Sequence, residues 1–118
     1  HDRKLPGRPD LVFPKHKALI FVNGCFWHGH DCALFKWPKT RKDFWRDKID
    51  GNVVRDHRNL AVLAEADWRV ALIWECALKG KQRLQLKKVF DILSVWIEGD
   101  LKECVIQGHD QETKETLA

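Results

Sequence analysis

The apolar positions of this chain change period several times, and each change marks an element. Pro9 to Phe13 and Lys17 to Val22 are short runs with β-branched and aromatic residues on either side of Pro14. That pattern predicts two adjacent strands joined by a short turn. From Asn23 to Lys39 no period is visible, and the stretch reads as irregular. Thr40, with Asp43 three residues on, has the spacing of a helix N-cap with a weak capping box. Phe44, Trp45, Ile49 and Val53 then recur at near-helical spacing, and Leu60, Leu63 and Ala64 carry the stripe to about Asp67. Asp50-Gly51-Asn52 in its middle predicts a kink or an interruption. Trp68 to Trp74 is almost continuously apolar around Arg69, as expected of a central strand buried on both faces. Leu84 to Ile97 returns to helical spacing, with Leu86, Val89, Phe90, Leu93, Trp96 and Ile97 on its core face. Beyond Gly99 the chain is polar and is expected to be a loose tail, residues 99–118.

The predicted order is strand, strand, helix, strand, helix. A strand–helix–strand connection implies parallel neighbours, so the expectation is one α/β domain, a mixed sheet flanked by helices. At 118 residues, 44% of them hydrophobic and 32% charged, one soluble globular core is the natural reading. Trp68, Trp74 and Trp96 are assigned to it. No run is long enough to span a bilayer and no secretory pattern opens the chain, so a cytoplasmic location and no membrane partner are expected. The chain opens on His1 and contains no Met, which suggests that something has been removed upstream.

Charge and chemistry sharpen this. The net charge is +4, compatible with a polyanionic partner. Between Lys36 and Arg58 eight basic residues face four aspartates, which a solvated helix face also explains. Cys25, His30 and Cys32 sit in N-G-C-F-W-H-G-H-D-C, residues 23–32, with the donor types and spacing of a structural zinc site. Four cysteines are few for a disulfide framework, and these two flank histidines, so reduced, metal-bound thiols are favoured. Cys76, at a strand end, and Cys104, in the tail, are both available as a fourth ligand. A metal there would rigidify the loop that presents Phe26 and Trp27, two large aromatics suited to wedging into a base stack. P-G-R-P-D ends in Asp10 just before the first strand, and His28 follows the second. A carboxylate and an imidazole at one end of a sheet are suited to divalent-cation binding and proton transfer. Glu75 is a weaker second acidic candidate. His57 and His109 lack such a setting and are read as surface residues.

The motifs P-G-R-P-D (6–10), F-V-N-G-C-F-W-H-G-H-D-C (21–32), F-W-R-D-K-I (44–49), N-V-V-R-D-H-R (52–58) and W-R-V-A-L-I-W-E-C-A-L (68–78) together resemble the very-short-patch repair (Vsr) endonucleases, over about residues 5–98. The resemblance implies a restriction-endonuclease-like fold and magnesium-dependent nicking of double-stranded DNA beside a T:G mismatch, by a monomer in bacterial cytoplasm, with other mismatch-repair proteins as candidate partners. It implies Asp10 as the Mg2+ carboxylate, with the backbone carbonyl of Val22 as a further ligand, and His28 as the catalytic histidine. Cys25, His30, Cys32 and Cys76 become the Zn2+ ligands, and Phe26, Trp27 and Trp45 the aromatics that enter the duplex. Val22 and Asn23 replace the family's usual Thr and His. Val22 keeps the carbonyl but loses a hydroxyl; Asn23 can hydrogen-bond a DNA phosphate but cannot transfer a proton. Set against the family's pattern, its N-terminal DNA-clasping helical segment is expected to be missing from these 118 residues. Two other readings remain: a non-catalytic, zinc-stapled DNA-binding module, and a related endonuclease of a mobile element or restriction system.

Overall fold

A computed structural model describes residues 4–109. The elements are β1 (Leu11–Phe13), β2 (Ala18–Asn23), α1 (Lys42–Glu65), β3 (Arg69–Trp74), α2 (Leu86–Glu98) and β4 (Glu103–Ile106). They form a four-stranded sheet in the order β1-β2-β3-β4. β1 runs antiparallel to β2, joined by a 3-10 turn over Pro14–His16, and β2, β3 and β4 are parallel neighbours. The mixed sheet expected from the strand–helix–strand order is present.

Side-chain alternation divides the core in two. Ala18 and Ile20 of β2 and Ala71 and Ile73 of β3 point to one face, where Val89, Leu93 and Trp96 of α2 cover them. Leu19, Phe21 and Val70 point to the other, under Leu63 of α1. Strands buried on both faces read as unbroken apolar runs, which is why β2 and β3 are so plain in the sequence. Arg69, the one charge in that run, ties the layers together. Its guanidinium donates to the carbonyls of Leu101 and Ile97, at 3.0 and 3.2 Å, and to that of Trp96. The C-terminal carbonyls of α2 are thereby satisfied by a cation.

Several expectations are corrected. Residues 103–106 of the supposed loose tail are strand β4, with Ile106 buried and Cys104 packed against the α2-side core; residues 110–118 of that tail lie outside the described residues. The helix starts at Lys42 with Arg41, not Thr40, as its cap, and it runs unbroken through Asp50-Gly51-Asn52. Trp96 is in the core, but Trp68 and Trp74 are only half-buried. Leu86 and Phe90 are 60% and 58% exposed, because the apolar stripe of α2 is wider than the sheet surface beneath it.

Candidate functional site

The register of the central strands builds the first half of the site. Asn23 pairs with Trp74, so Cys25 and Cys76, each two residues further on, emerge side by side. Both are buried. The Cys76 N–H donates to Cys25 Sγ at 3.3 Å, and the Cys25 N–H donates to Glu75 Oε1 at 3.1 Å. The turn that follows returns His30, whose Nδ1 lies 3.6 Å from Cys25 Sγ and 3.7 Å from Cys76 Sγ. With Cys32, the four donor atoms all lie within 4.8 Å of one another. Cys104 is outside this group. A Cys/His cluster of this kind can hold a metal ion.

The surroundings orient these donors. The His30 ring stacks on Trp74, centroids 4.1 Å apart and planes 10° from parallel. Its Nε2 is 2.9 Å from Gln107 Oε1. The Gly108 N–H donates to Cys76 Sγ at 3.3 Å. A side chain at Gly108 has no room, since a Cβ there would meet the Cys76 and Gln82 carbonyl oxygens at 2.5 and 2.6 Å. Burial pushes the Cys25 thiol up to about 12; the Cys76 N–H that it accepts works against this, and the neighbouring Cys32 adds to it. Cys76 is raised chiefly by the same burial. Thiols crowded together away from water keep their protons, and a cation among them reverses that by stabilising thiolates. The donor set therefore suits a divalent cation.

The second half lies along β1, β2 and the same turn. Asp10 Oδ2 accepts the Val22 N–H at 2.6 Å, while the Asp10 N–H donates to the Ile20 carbonyl at 2.9 Å. The carboxylate is thus fixed at the β1 edge of β2. His28 Nδ1 is 2.6 Å from Asp56 Oδ2 of α1, and His28, Asn23, Asp56 and Asn59 line one small recess of about 40 Å3. Asp56 was not singled out in the sequence. Asn52, Asp56 and Asn59 recur at i, i+4 and i+7, a polar stripe that could have revealed it. Asn52 is the second omission: its side-chain amide donates to the Trp27 carbonyl at 2.9 Å and holds the turn against α1. Glu75 is occupied on the cysteine side. His57 and His109 are exposed.

Phe26, Trp27 and Trp45 come together as a trio, with ring centroids 5.3, 5.5 and 5.9 Å apart. Trp27 is 51% exposed. Gly29, at φ +62°, lies so close to Ile49 and Val53 that a Cβ would meet them at 3.0 and 3.1 Å. The loop therefore seats closely on α1 while Trp27 faces outward and Phe26 is half-buried among its neighbouring rings.

Fold and site define an α/β domain with a Cys/His centre able to hold a metal ion, beside a carboxylate, an imidazole–carboxylate pair and an exposed aromatic surface. A family profile described as DNA mismatch endonuclease Vsr matches residues 1–34. The chain is 48% identical over 99 residues to the DNA mismatch endonuclease Vsr of Escherichia coli (strain K12), covering 84% of this chain and 64% of that protein. It is 46% identical over 93 residues to the type II nicking enzyme V.XorIIP of Xanthomonas oryzae pv. oryzae, covering 77% and 68%. It is 42% identical over 81 residues to the type II nicking enzyme V.NmeAIP of Neisseria meningitidis, covering 69% and 58%. The chain belongs to the Vsr family, and it spans somewhat less than two thirds of the Escherichia coli relative.

Proposed function

We propose that this protein is a magnesium-dependent endonuclease that nicks double-stranded DNA at T:G mismatches, on a restriction-endonuclease-like core stapled by zinc. The observation that carries the reading is the Asp10 carboxylate held on the Val22 amide at one edge of β2, on the strand that leads through Asn23 into the turn bearing His28. Along an extended strand the N–H and C=O of a residue face the same neighbour. The Val22 carbonyl therefore belongs to the Asp10 edge, which supports this pair as Mg2+ ligands. Asp10 and the Val22 carbonyl would hold the cation, which would supply charge neutralisation for the phosphate and activation of water. His28 gives or takes the proton. With Asp56 accepting from Nδ1–H, the imidazole presents Nε2 as its working nitrogen. Asn23 orients a phosphate oxygen by hydrogen bonding.

The zinc assignment is supported by distance. Bonds of about 2.3 Å to sulfur and about 2.0–2.1 Å to nitrogen, set at the tetrahedral angle, separate S from N by about 3.6 Å. The separations from His30 Nδ1 are 3.6 and 3.7 Å. Cys25, His30, Cys32 and Cys76 are then the ligands, with Gln107 fixing the tautomer of His30 from behind.

Phe26, Trp27 and Trp45 are the wedge, and a mismatched step is cheaper to open than a paired one. The test is nicking of T:G and T:A duplexes with and without Mg2+, for wild type and Asp10→Asn. Nicking confined to T:G with Mg2+, and lost in Asp10→Asn while binding persists, is expected. Equal cleavage of both duplexes, or an active Asp10→Asn, refutes the reading.

A further inference from the structure

The aromatic surface does not end at the trio. Phe26 stacks on Phe35, centroids 5.8 Å apart and planes 25° from parallel, and Phe35 meets Trp37 edge-on at 4.9 Å. Trp37 is 46% exposed. Beside it opens a recess of about 300 Å3 lined by Trp37, Pro38, Lys39, Lys42 and Arg46. The Arg46 guanidinium lies over the Trp37 ring at 5.4 Å. Lys42 and Arg46 stand one helical turn apart at the start of α1. No carboxylate lines the recess, and among the described residues none of its three cations forms an ion pair with one.

Three like charges around a half-exposed indole, one of them over its ring, call for a partner that is both anionic and flat. A duplex backbone would use the cations but leave the indole idle. A nucleotide uses both, its base stacking on the ring and its phosphate meeting the cations. We propose that Trp37, Lys39, Lys42 and Arg46 form a binding site for one unpaired deoxynucleotide, the base on Trp37 and the phosphate among the cations. The proposal rests on the DNA-directed reading above. The line of rings from Trp27 through Phe26 and Phe35 runs on to Trp37, so the site is continuous with the aromatic surface assigned to the wedge.

The test measures affinity at one fixed salt concentration for a short single-stranded oligodeoxynucleotide and for the same strand made entirely abasic. Trp37→Ala weakens the normal strand by roughly tenfold, within the range of one lost base–aromatic stack, and leaves the abasic strand unchanged. Trp37→Phe restores most of the loss. Arg46→Gln weakens both strands and makes binding less sensitive to salt. Equal losses from Trp37→Ala on both strands, or none on either, overturn the proposal, as does displacement of the normal strand by an acidic peptide with no dependence on Trp37. Nicking is assayed in parallel. Its absence with the base-dependent loss intact removes the enzymatic reading and leaves this site standing.

Discussion

Replacing Asp56 with asparagine probes the imidazole pair directly. The His28–Asp56 separation of 2.6 Å is that of a charge-assisted hydrogen bond, a type worth roughly 1.5–3 kcal/mol when well buried. Both side chains here keep 29% of their surface in water, and solvent screening brings the contribution to folding down to about 1 kcal/mol or less. For a domain of this size that corresponds to a fall in Tm of a few degrees. Catalysis should suffer far more. A carboxylate accepts only, so it fixes Nδ1–H and frees Nε2; an amide can present NH2 instead and hold the ring in the opposite tautomer. Positioned acid–base groups contribute roughly 10²–10⁴-fold, and a fall of about 10²-fold in single-turnover nicking is expected. The assay uses saturating protein on a T:G duplex, with mismatch affinity and Tm measured on the same preparations. Near-normal turnover with a lowered Tm would falsify the positioning role and leave Asp56 as a structural contact. A rate loss matched by an equal loss of affinity would assign Asp56 to binding instead.

Metal analysis should find one zinc per chain, lost in Cys76→Ala and retained in Cys104→Ala; retention in the former would refute the ligand set. The sign of its pH dependence follows from the thiols. Burial raises Cys25 and Cys76, so the metal must displace protons, and chelator competition should show affinity falling by at least about tenfold per pH unit as pH is lowered. A pH-independent affinity would contradict this. Trp27→Ala should weaken binding to a T:G duplex much more than to T:A at the same salt concentration; equal losses would make Trp27 a packing residue. Gly108→Ala forces a Cβ against two backbone carbonyls and should cost about 1–3 kcal/mol together with zinc affinity, measured by melting and by chelator competition. Unchanged values would mean that the segment after β4 is free to shift.

Local patterns in the sequence carried most of what could be read. Cys25, His30 and Cys32 lie within one turn, and their donor chemistry alone marks a metal cluster. The preference for Cys76 over Cys104 drew on its strand-end position and on the resemblance, whereas the contact itself depends on the parallel register of β2 and β3 across 51 positions. Strand β4 escaped because only alternate residues of a four-residue stretch face the core, and its pairing with β3 is non-local. The uninterrupted α1 shows tertiary contacts overriding propensity. A glycine in a helix costs about 1 kcal/mol, and here the adjoining Asn52 gains a hydrogen bond to the Trp27 carbonyl. Asp56 was missed for a similar reason: a polar residue on an exposed helix becomes meaningful only when a loop folds back onto it.

The segment leaving β4 touches two members of the cysteine–histidine cluster, through Gln107 on His30 and Gly108 on Cys76. That attachment makes the cluster a latch on the outermost strand of the sheet. Among the described residues β4 is held to the rest of the sheet by a four-residue ladder on β3, too short to be secure alone. Chelation should therefore release the strand, drawing Ile106 out of the α2-side cluster while the α1-side cluster stays packed, and leave the backbone of Val70–Ile73 open along its length. An exposed, apolar strand edge invites pairing with another chain. Loss of a metal from the cluster would then make this protein self-associate while most of its helix content persists, so that metal supply would set its solubility as well as its fold.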